Sequence, residues 1–162
     1  LNEWAARPLP LSASCFHDGV LSLRLSGAQA AIDEALARLG GERFDGGTFW
    51  NGLRDQSAAF FTGADTLWRL ALPSTATPLE SAGPQLIEWG GALRWLSGAH
   101  DATALRRQAA ALGGHATLYR SADKSAGAFQ PLSAPMAALQ RRVKAVFAPA
   151  DIFNRGRLHP DI

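Results

Sequence analysis

The sequence contains a single cysteine, Cys15, among its 162 residues. One cysteine excludes an internal disulfide and any metal site built from several cysteines. Cys15 lies in an apolar run, where a free cysteine is usually buried and unreactive. The four histidines, His17, His100, His115 and His159, are far apart, and no pair of side chains has the spacing of a metal site. We therefore predict no bound metal.

The chain also lacks a dense block of basic residues. Its 16 Lys and Arg residues stand against 14 Asp and Glu residues, and the net charge is +2. Because these cations are scattered, the sequence does not favour binding to a phosphate backbone, and nucleic acid is not an expected partner. No run of 18 apolar residues could span a membrane, and residues 1–10 do not resemble a signal peptide. A cytoplasmic location is therefore expected.

The length of 162 residues suits one domain. The charged fraction of 19% is somewhat low, which suggests that part of the surface is covered by another protein or domain. The first residue is Leu1 rather than methionine. This suggests that the sequence is a piece of a longer protein.

Hydrophobic periodicity predicts an α+β domain. Alternating residues on both sides of Asp18-Gly19 are typical of a β-hairpin, and a face of Ile32, Ala35, Leu36 and Leu39 is typical of a helix. The predicted strands are 11–17, 20–26, 66–72, 85–89, 92–97 and 115–121, and the predicted helices are 28–41 with its terminal glycines, 48–61, 101–112 and 135–147.

The order of these elements is close to that of a ferredoxin-like antiparallel sheet with helices on one face, followed by a C-terminal helix and an extended tail. The other face of such a sheet would be open. The candidates for this open face are Trp68, Trp89, Trp95, Arg69 and Arg94, and about half of them should point outward because side chains alternate along a strand. An open face with tryptophan and arginine indicates a docking surface.

Three strand residues are candidates for contact with a ligand. His115 follows the stop at Gly113-Gly114 and begins a strand, although a histidine hydrogen-bonded to the backbone would fit the same pattern. Arg69 and Arg94 could each hold a carboxylate or a flavin-type anion with two hydrogen bonds. The alternative for each arginine is a solvated strand residue. The glycine pairs fall at turns and helix ends, and none forms a phosphate-binding loop.

The segment FAPADIFNRGRLHP (147–160) resembles the C-terminal end of FAD-linked oxidases of the vanillyl-alcohol oxidase type. WRLALP (68–73), IEWGGALRWL (87–96) and GGHATLYR (113–120) resemble, in the same order, segments of the FAD-binding subunits of bacterial glycolate oxidases. The resemblance thus covers nearly the whole chain.

This resemblance implies that residues 1–147 form the cap domain of such a subunit. Residues 148–162 would form a tail that returns to an FAD-binding domain outside this sequence. The sheet of the cap would lie over the isoalloxazine ring of FAD. Because the pyrophosphate of FAD would be held by the missing domain, this chain alone is expected to be colourless and inactive.

The resemblance also implies site residues. Asn154, Gly156 and Arg157 match the N-P-G-[KR] turn that lies near the flavin, but Arg155 stands where the family usually has proline, which loosens the turn. His115 matches a histidine near the substrate in related oxidases. The stretch GGHATL nevertheless departs from the G-E-H-G form of the lactate and glycolate dehydrogenase branch.

The implied activity is the flavin-dependent oxidation of a 2-hydroxy acid, glycolate to glyoxylate. His115 would orient or deprotonate the hydroxyl, and Arg69 or Arg94 would neutralise the carboxylate. Other subunits of the oxidase are the expected partners, and they could hold the protein at the inner membrane. The alternative is a non-catalytic subunit-interaction module that assembles the complex. A ferredoxin-like RNA binder would need RNP-type aromatic motifs, which the sequence lacks.

Overall fold

The computed structural model describes residues 1–79, 83–160 and 162. In these residues the chain forms six helices, six strands and one 3₁₀ turn. The helices are α1 (Asn2–Ala5), α2 (Gln29–Leu39), α3 (Gly47–Arg54), α4 (Ala59–Thr62), α5 (Ala102–Ala111) and α6 (Ala134–Phe147). The strands are β1 (Leu11–His17), β2 (Val20–Leu25), β3 (Leu67–Ala71), β4 (Gln85–Glu88), β5 (Leu93–Ser97) and β6 (His115–Arg120), and the 3₁₀ turn is Trp89–Gly91.

The six strands form one sheet in the order β2-β1-β4-β5-β3-β6. Every neighbouring pair is antiparallel. The expected α+β class and antiparallel sheet are confirmed, in a form compatible with a ferredoxin-like sandwich.

Local sequence signals explain several of these elements. The β1–β2 hairpin turns at Asp18 and Gly19, which both have positive φ (48° and 77°), as a two-residue hairpin loop requires. The carboxylate of Asp101 accepts a hydrogen bond from the backbone N–H of Ala104 at 2.6 Å and caps the first turn of α5. Gly40 ends α2 with a φ of 67°.

The single helix predicted over 48–61 is wrong, because the structure has two short helices there. The chain turns sharply after α3, where Gln56 adopts a φ of 55°. The N–H groups of Ser57 and Ala58 both donate to the carbonyl of Gly52, at 2.9 and 3.1 Å. These bonds close a tight loop that the hydrophobic pattern of the segment does not reveal.

The two faces of the sheet carry separate apolar cores. On one face α5 packs its Leu105 and Ala109 against a cluster that includes Trp68, Leu70 and Leu96. On the other face the second cluster joins Leu53 of α3 and Phe61 of α4 to side chains of four strands. These are Cys15, Leu67, Leu86, Leu93 and Trp95. The sequence placed helices on one face only, whereas the structure has α5 on one face and α3 and α4 over part of the other.

The helix α6 and the tail that follows it contribute no buried apolar side chain to either core. Phe147 at the end of α6 is 83% exposed, and Ile152 and Phe153 of the tail are 72% and 63% exposed. The tail folds back through turns and is tied to α6 by the 2.7 Å ion pair between Lys144 and Asp151. These large apolar side chains are thus left without cover from the described part of the chain.

Candidate functional site: a cleft on one face of the sheet

The register of β3 decides which candidate residues share a face. Arg69 is paired with Trp95 of β5 and with Thr117 of β6, while Leu70 is paired with Arg94. Because directly paired residues point to the same side of a sheet and neighbours along a strand to opposite sides, Arg69 and Trp95 share one face. Arg94 lies on the other face, with Trp68 and α5.

The face that carries Arg69 is only partly covered by α3 and α4, and an open cleft of about 840 Å³ lies on it. We call it the sheet cleft. Its polar and aromatic lining includes Trp50 of α3, Arg69, Glu88, Trp95 and Tyr119. The volume is within the range of small-molecule sites, roughly 300–1,000 Å³.

Glu88, the last residue of β4, is the titratable group that the sequence analysis missed. Its carboxylate oxygen Oε2 accepts a hydrogen bond from the indole Nε1 of Trp95 at 2.8 Å. Burial raises the pKa of Glu88, while the bond from Trp95 and the charge of Arg69 act in the opposite direction. The sheet cleft therefore contains a partly buried carboxylate whose negative charge costs more than it would in water.

Edge-to-face aromatic contacts hold the ring of Trp95, the hydrogen-bond donor to Glu88, in place. The ring of Trp95 meets Phe61 edge-on at 5.3 Å and Tyr119 edge-on at 5.0 Å. The guanidinium of Arg69 lies 6.0 Å from the centroid of the Trp95 ring, a distance at which cation–π attraction acts. Arg69 is thus oriented over the aromatic floor by a contact that leaves its N–H groups available for hydrogen bonds.

Cys15 of β1 is paired directly with Glu88 in the sheet. It is buried, and burial followed by the charge of Glu88 raises the pKa of the thiol to about 12. The thiolate is the nucleophilic and metal-binding form of cysteine. The expected inert, buried thiol is therefore the arrangement found.

Arg94 is buried on the opposite face, with 4% of its surface exposed. Its N–H groups donate to the backbone carbonyls of Gly91, Thr77 and Ala76, at 3.2, 2.7 and 2.6 Å. These bonds fix the loop after β3 against the sheet. The structure does not bring Arg94 together with Arg69.

His115 is the first residue of β6 and is exposed. It is paired with Ala71, so it shares a face with Arg69 but lies at the end of the sheet and does not line the sheet cleft. A side chain at the preceding Gly114 would collide with the carbonyl oxygen of Ala71. Gly113 has a φ of 81°, so both glycines before His115 have a structural reason beside any functional one.

The three tail residues predicted to contact a cofactor, Asn154, Gly156 and Arg157, do not line the sheet cleft. Asn154 and Gly156 have positive φ of 49° and 65°, and the N–H of Arg157 donates to the carbonyl of Asn154 at 3.2 Å. A turn is therefore formed without the proline that Arg155 replaces. All three residues are exposed.

No group of three or more His, Cys, Asp and Glu residues in the described ranges could hold a metal ion. None of the helices in those ranges is long and apolar enough to cross a membrane.

Fold and cleft together define an α+β domain whose partly open sheet face forms one wall of a cleft of small-molecule size. Over all 162 residues the chain is 41% identical to the glycolate oxidase subunit GlcE of Escherichia coli (strain K12). The chain spans 45% of the length of that subunit. It is therefore a partial homologue of GlcE, corresponding to its C-terminal region. No family model and no solved structure matches the chain.

Proposed function

We propose that this chain is the cap portion of a flavin-dependent glycolate oxidase subunit and forms one wall of the site at which a 2-hydroxy acid is oxidised. The observation that carries the proposal is the 41% identity to a glycolate oxidase subunit over the full chain. Glycolate, with glyoxylate as product, is the proposed substrate. The other subunits of the oxidase are the proposed partners. The proposed location is the cytoplasm, where these subunits could hold the protein at the inner membrane.

The residues of the sheet cleft fit the ring portion of FAD. Trp50 and Tyr119 supply aromatic surface, and Arg69 supplies a positive charge suited to a ring or substrate that carries negative charge. In the described ranges there is no glycine-rich loop that could hold a pyrophosphate. The flavin, when bound, supplies the acceptor for the hydride that leaves the α-carbon of the substrate.

Two side chains of this face are suited to the substrate. Arg69 would bind the carboxylate of the 2-hydroxy acid, because its guanidinium is oriented by Trp95 and both residues line the sheet cleft. His115 shares this face and is the candidate that the family resemblance suggests for the hydroxyl, but it does not line the sheet cleft. Arg94 stays a predicted site residue, but its three bonds to backbone carbonyls favour a structural role.

The tail, residues 148–162, would return to the FAD-binding part of the full-length subunit and place Asn154, Gly156 and Arg157 near the flavin. Support comes from the exposed apolar side chains Ile152 and Phe153, which are costly to leave in water. The cap domain proper would then comprise residues 1–147.

The test is the visible absorbance of oxidised flavin in the full-length subunit, measured after purification with its partners and again after glycolate is added. Retained flavin that bleaches with glycolate is the expected result. This chain alone, mixed with FAD, should show no bound flavin. A full-length subunit that retains no flavin would contradict the proposal.

A second candidate function, a non-catalytic module that assembles the complex, is favoured by the uncovered surface of α6 and the tail. Replacing Phe147, Ile152 and Phe153 by serine tests it in the full-length subunit. If the module only assembles subunits, the triple variant loses its partners but retains its flavin. If the tail packs on the FAD-binding part, the variant loses its flavin before it loses its partner subunits. A triple substitution of the exposed residues Val20, Phe16 and Leu21 in the β1–β2 hairpin provides a matched apolar control.

A further inference from the structure

The carboxylate of Glu88 is fixed in the sheet cleft by only one of its oxygens. Oε2 accepts the bond from Trp95, and Oε1 accepts no hydrogen bond from the side chains and backbone groups of residues 1–79, 83–160 and 162. Glu88 lines the sheet cleft together with Arg69. One acceptor and one cation thus lie on the same wall.

Support of Trp95 does not by itself require a charged residue at this position. A neutral glutamine could accept the same indole hydrogen bond, and it would avoid the cost of placing a negative charge in a partly buried position. The charges that face Glu88 do not remove this cost entirely, because burial outweighs the favourable effects of Arg69 and Trp95 on its pKa. A carboxylate kept at such a position is typical of sites that act on a ligand.

Glu88 and Arg69 supply, in one cleft, the two kinds of group that a 2-hydroxy acid needs. The carboxylate of such an acid needs a cation, and its neighbouring hydroxyl needs a hydrogen-bond acceptor. We propose that Glu88 accepts the hydrogen bond of the substrate hydroxyl while Arg69 binds the substrate carboxylate. This inference rests on the proposed function and names the residue that distinguishes a 2-hydroxy acid from a simple carboxylic acid.

His115 is the other candidate for the contact with the hydroxyl, but it lies far from Glu88 across the sheet. One row of directly paired residues crosses four neighbouring strands, in the order Glu88, Leu93, Ala71 and His115. Three strand spacings of about 4.8 Å place the backbones of Glu88 and His115 about 14 Å apart. One small hydroxyl cannot bind both. The sheet cleft favours Glu88, because Glu88 and Arg69 line it and His115 does not.

The experiment compares glycolate with acetate, which has the carboxylate but no hydroxyl. Dissociation constants of both anions are measured by titration calorimetry for the full-length subunit assembled with its partners, without oxygen and after the flavin has been reduced, because a reduced flavin cannot oxidise glycolate. The variants are E88Q, R69Q and H115A. Glutamine keeps the shape of Glu88 and an acceptor for Trp95, so E88Q tests the charged acceptor rather than the fold.

The unmodified protein is expected to bind glycolate more tightly than acetate. E88Q should reduce this preference by about tenfold, since a hydrogen bond to a charged group contributes about 1.5 kcal/mol or more. Acetate binding by E88Q should be unchanged or tighter, because a nearby negative charge is removed. R69Q should weaken both anions, and H115A should leave the preference unchanged.

An unchanged preference in E88Q, or a preference lost in H115A, would overturn the role of Glu88 and leave the proposed function standing. If the unmodified protein retains flavin but binds neither anion, and glycolate does not bleach the flavin, the proposed function fails and this inference fails with it.

Discussion

Replacement of Arg94 by methionine separates a structural role from a role in substrate binding. Methionine keeps most of the aliphatic volume of arginine and removes its five N–H donors. The two short bonds, to Thr77 and Ala76 at 2.7 and 2.6 Å, each come from a charged donor and contribute about 1.5 kcal/mol. The bond to Gly91 is longer, at 3.2 Å, and adds little.

We therefore expect R94M to lower the free energy of unfolding by about 3 kcal/mol. For a chain of this size, about 2–4 °C is lost per kcal/mol, so the melting temperature should fall by about 6–12 °C. Urea unfolding followed by circular dichroism measures the first quantity, and a thermal melt measures the second. The control is R107M, because Arg107 is exposed on α5, and it should change stability by less than about 0.5 kcal/mol.

The assignment of Arg94 to the fold would be refuted by a variant as stable as the R107M control. If R94M in the full-length oxidase were stable but did not bind glycolate, Arg94 would belong to the substrate site, as the sequence alone allows. If R94M is destabilised and its folded fraction still binds glycolate, the role of Arg94 is structural and lies in its three bonds to backbone carbonyls.

Three further predictions concern glycine packing, capping and pH. G114A should destabilise the chain by several kcal/mol in urea unfolding, because its new methyl group would meet the carbonyl of Ala71. In the control G52A, in α3, the methyl group meets only ordinary contacts, so no comparable loss is expected. Equal losses of stability in the two variants would contradict the role of Gly114. D101A should lose about 1 kcal/mol and D101N much less, because asparagine also caps helices well; equal stability of D101A and the parent would refute the cap. The pKa of Cys15 is raised in the folded state from an ordinary value of 9.0 to about 12. The contribution of this thiol to stability is therefore complete below about pH 9 and is lost as the pH rises towards 12. C15A should lose less stability over that range than the parent does, and identical pH slopes of the two proteins would exclude the effect.

Much of the fold could be predicted from sequence, because its signals are local. The turn at Asp18-Gly19 needs two residues that tolerate positive φ, and the cap at Asp101 needs one carboxylate before an apolar periodic segment. Such signals act over a few residues and do not depend on the rest of the chain. The loop after α3 was missed because its hydrogen bonds converge on one carbonyl of Gly52, which no periodicity reports.

The candidate site could be predicted only in part. Arg69 and His115 were proposed from residue type and resemblance, but their relation to Arg94 depended on register. A shift of one residue in strand pairing moves every side chain to the opposite face, so composition could not separate Arg69 from Arg94. Glu88 gave no signal of its own in a strand of four residues.

The sequence by itself determined the six strands, the hairpin, the capped helix α5 and the likeness to glycolate oxidase subunits, because each depends on neighbouring residues or on a linear match. Only the tertiary structure decided the strand order β2-β1-β4-β5-β3-β6 and the two faces of the sheet. Those depend on hydrogen bonds between strands far apart in the chain. It is this pairing that placed Glu88 beside Trp95 and Arg69 in the sheet cleft, and Arg94 beneath a loop on the other side.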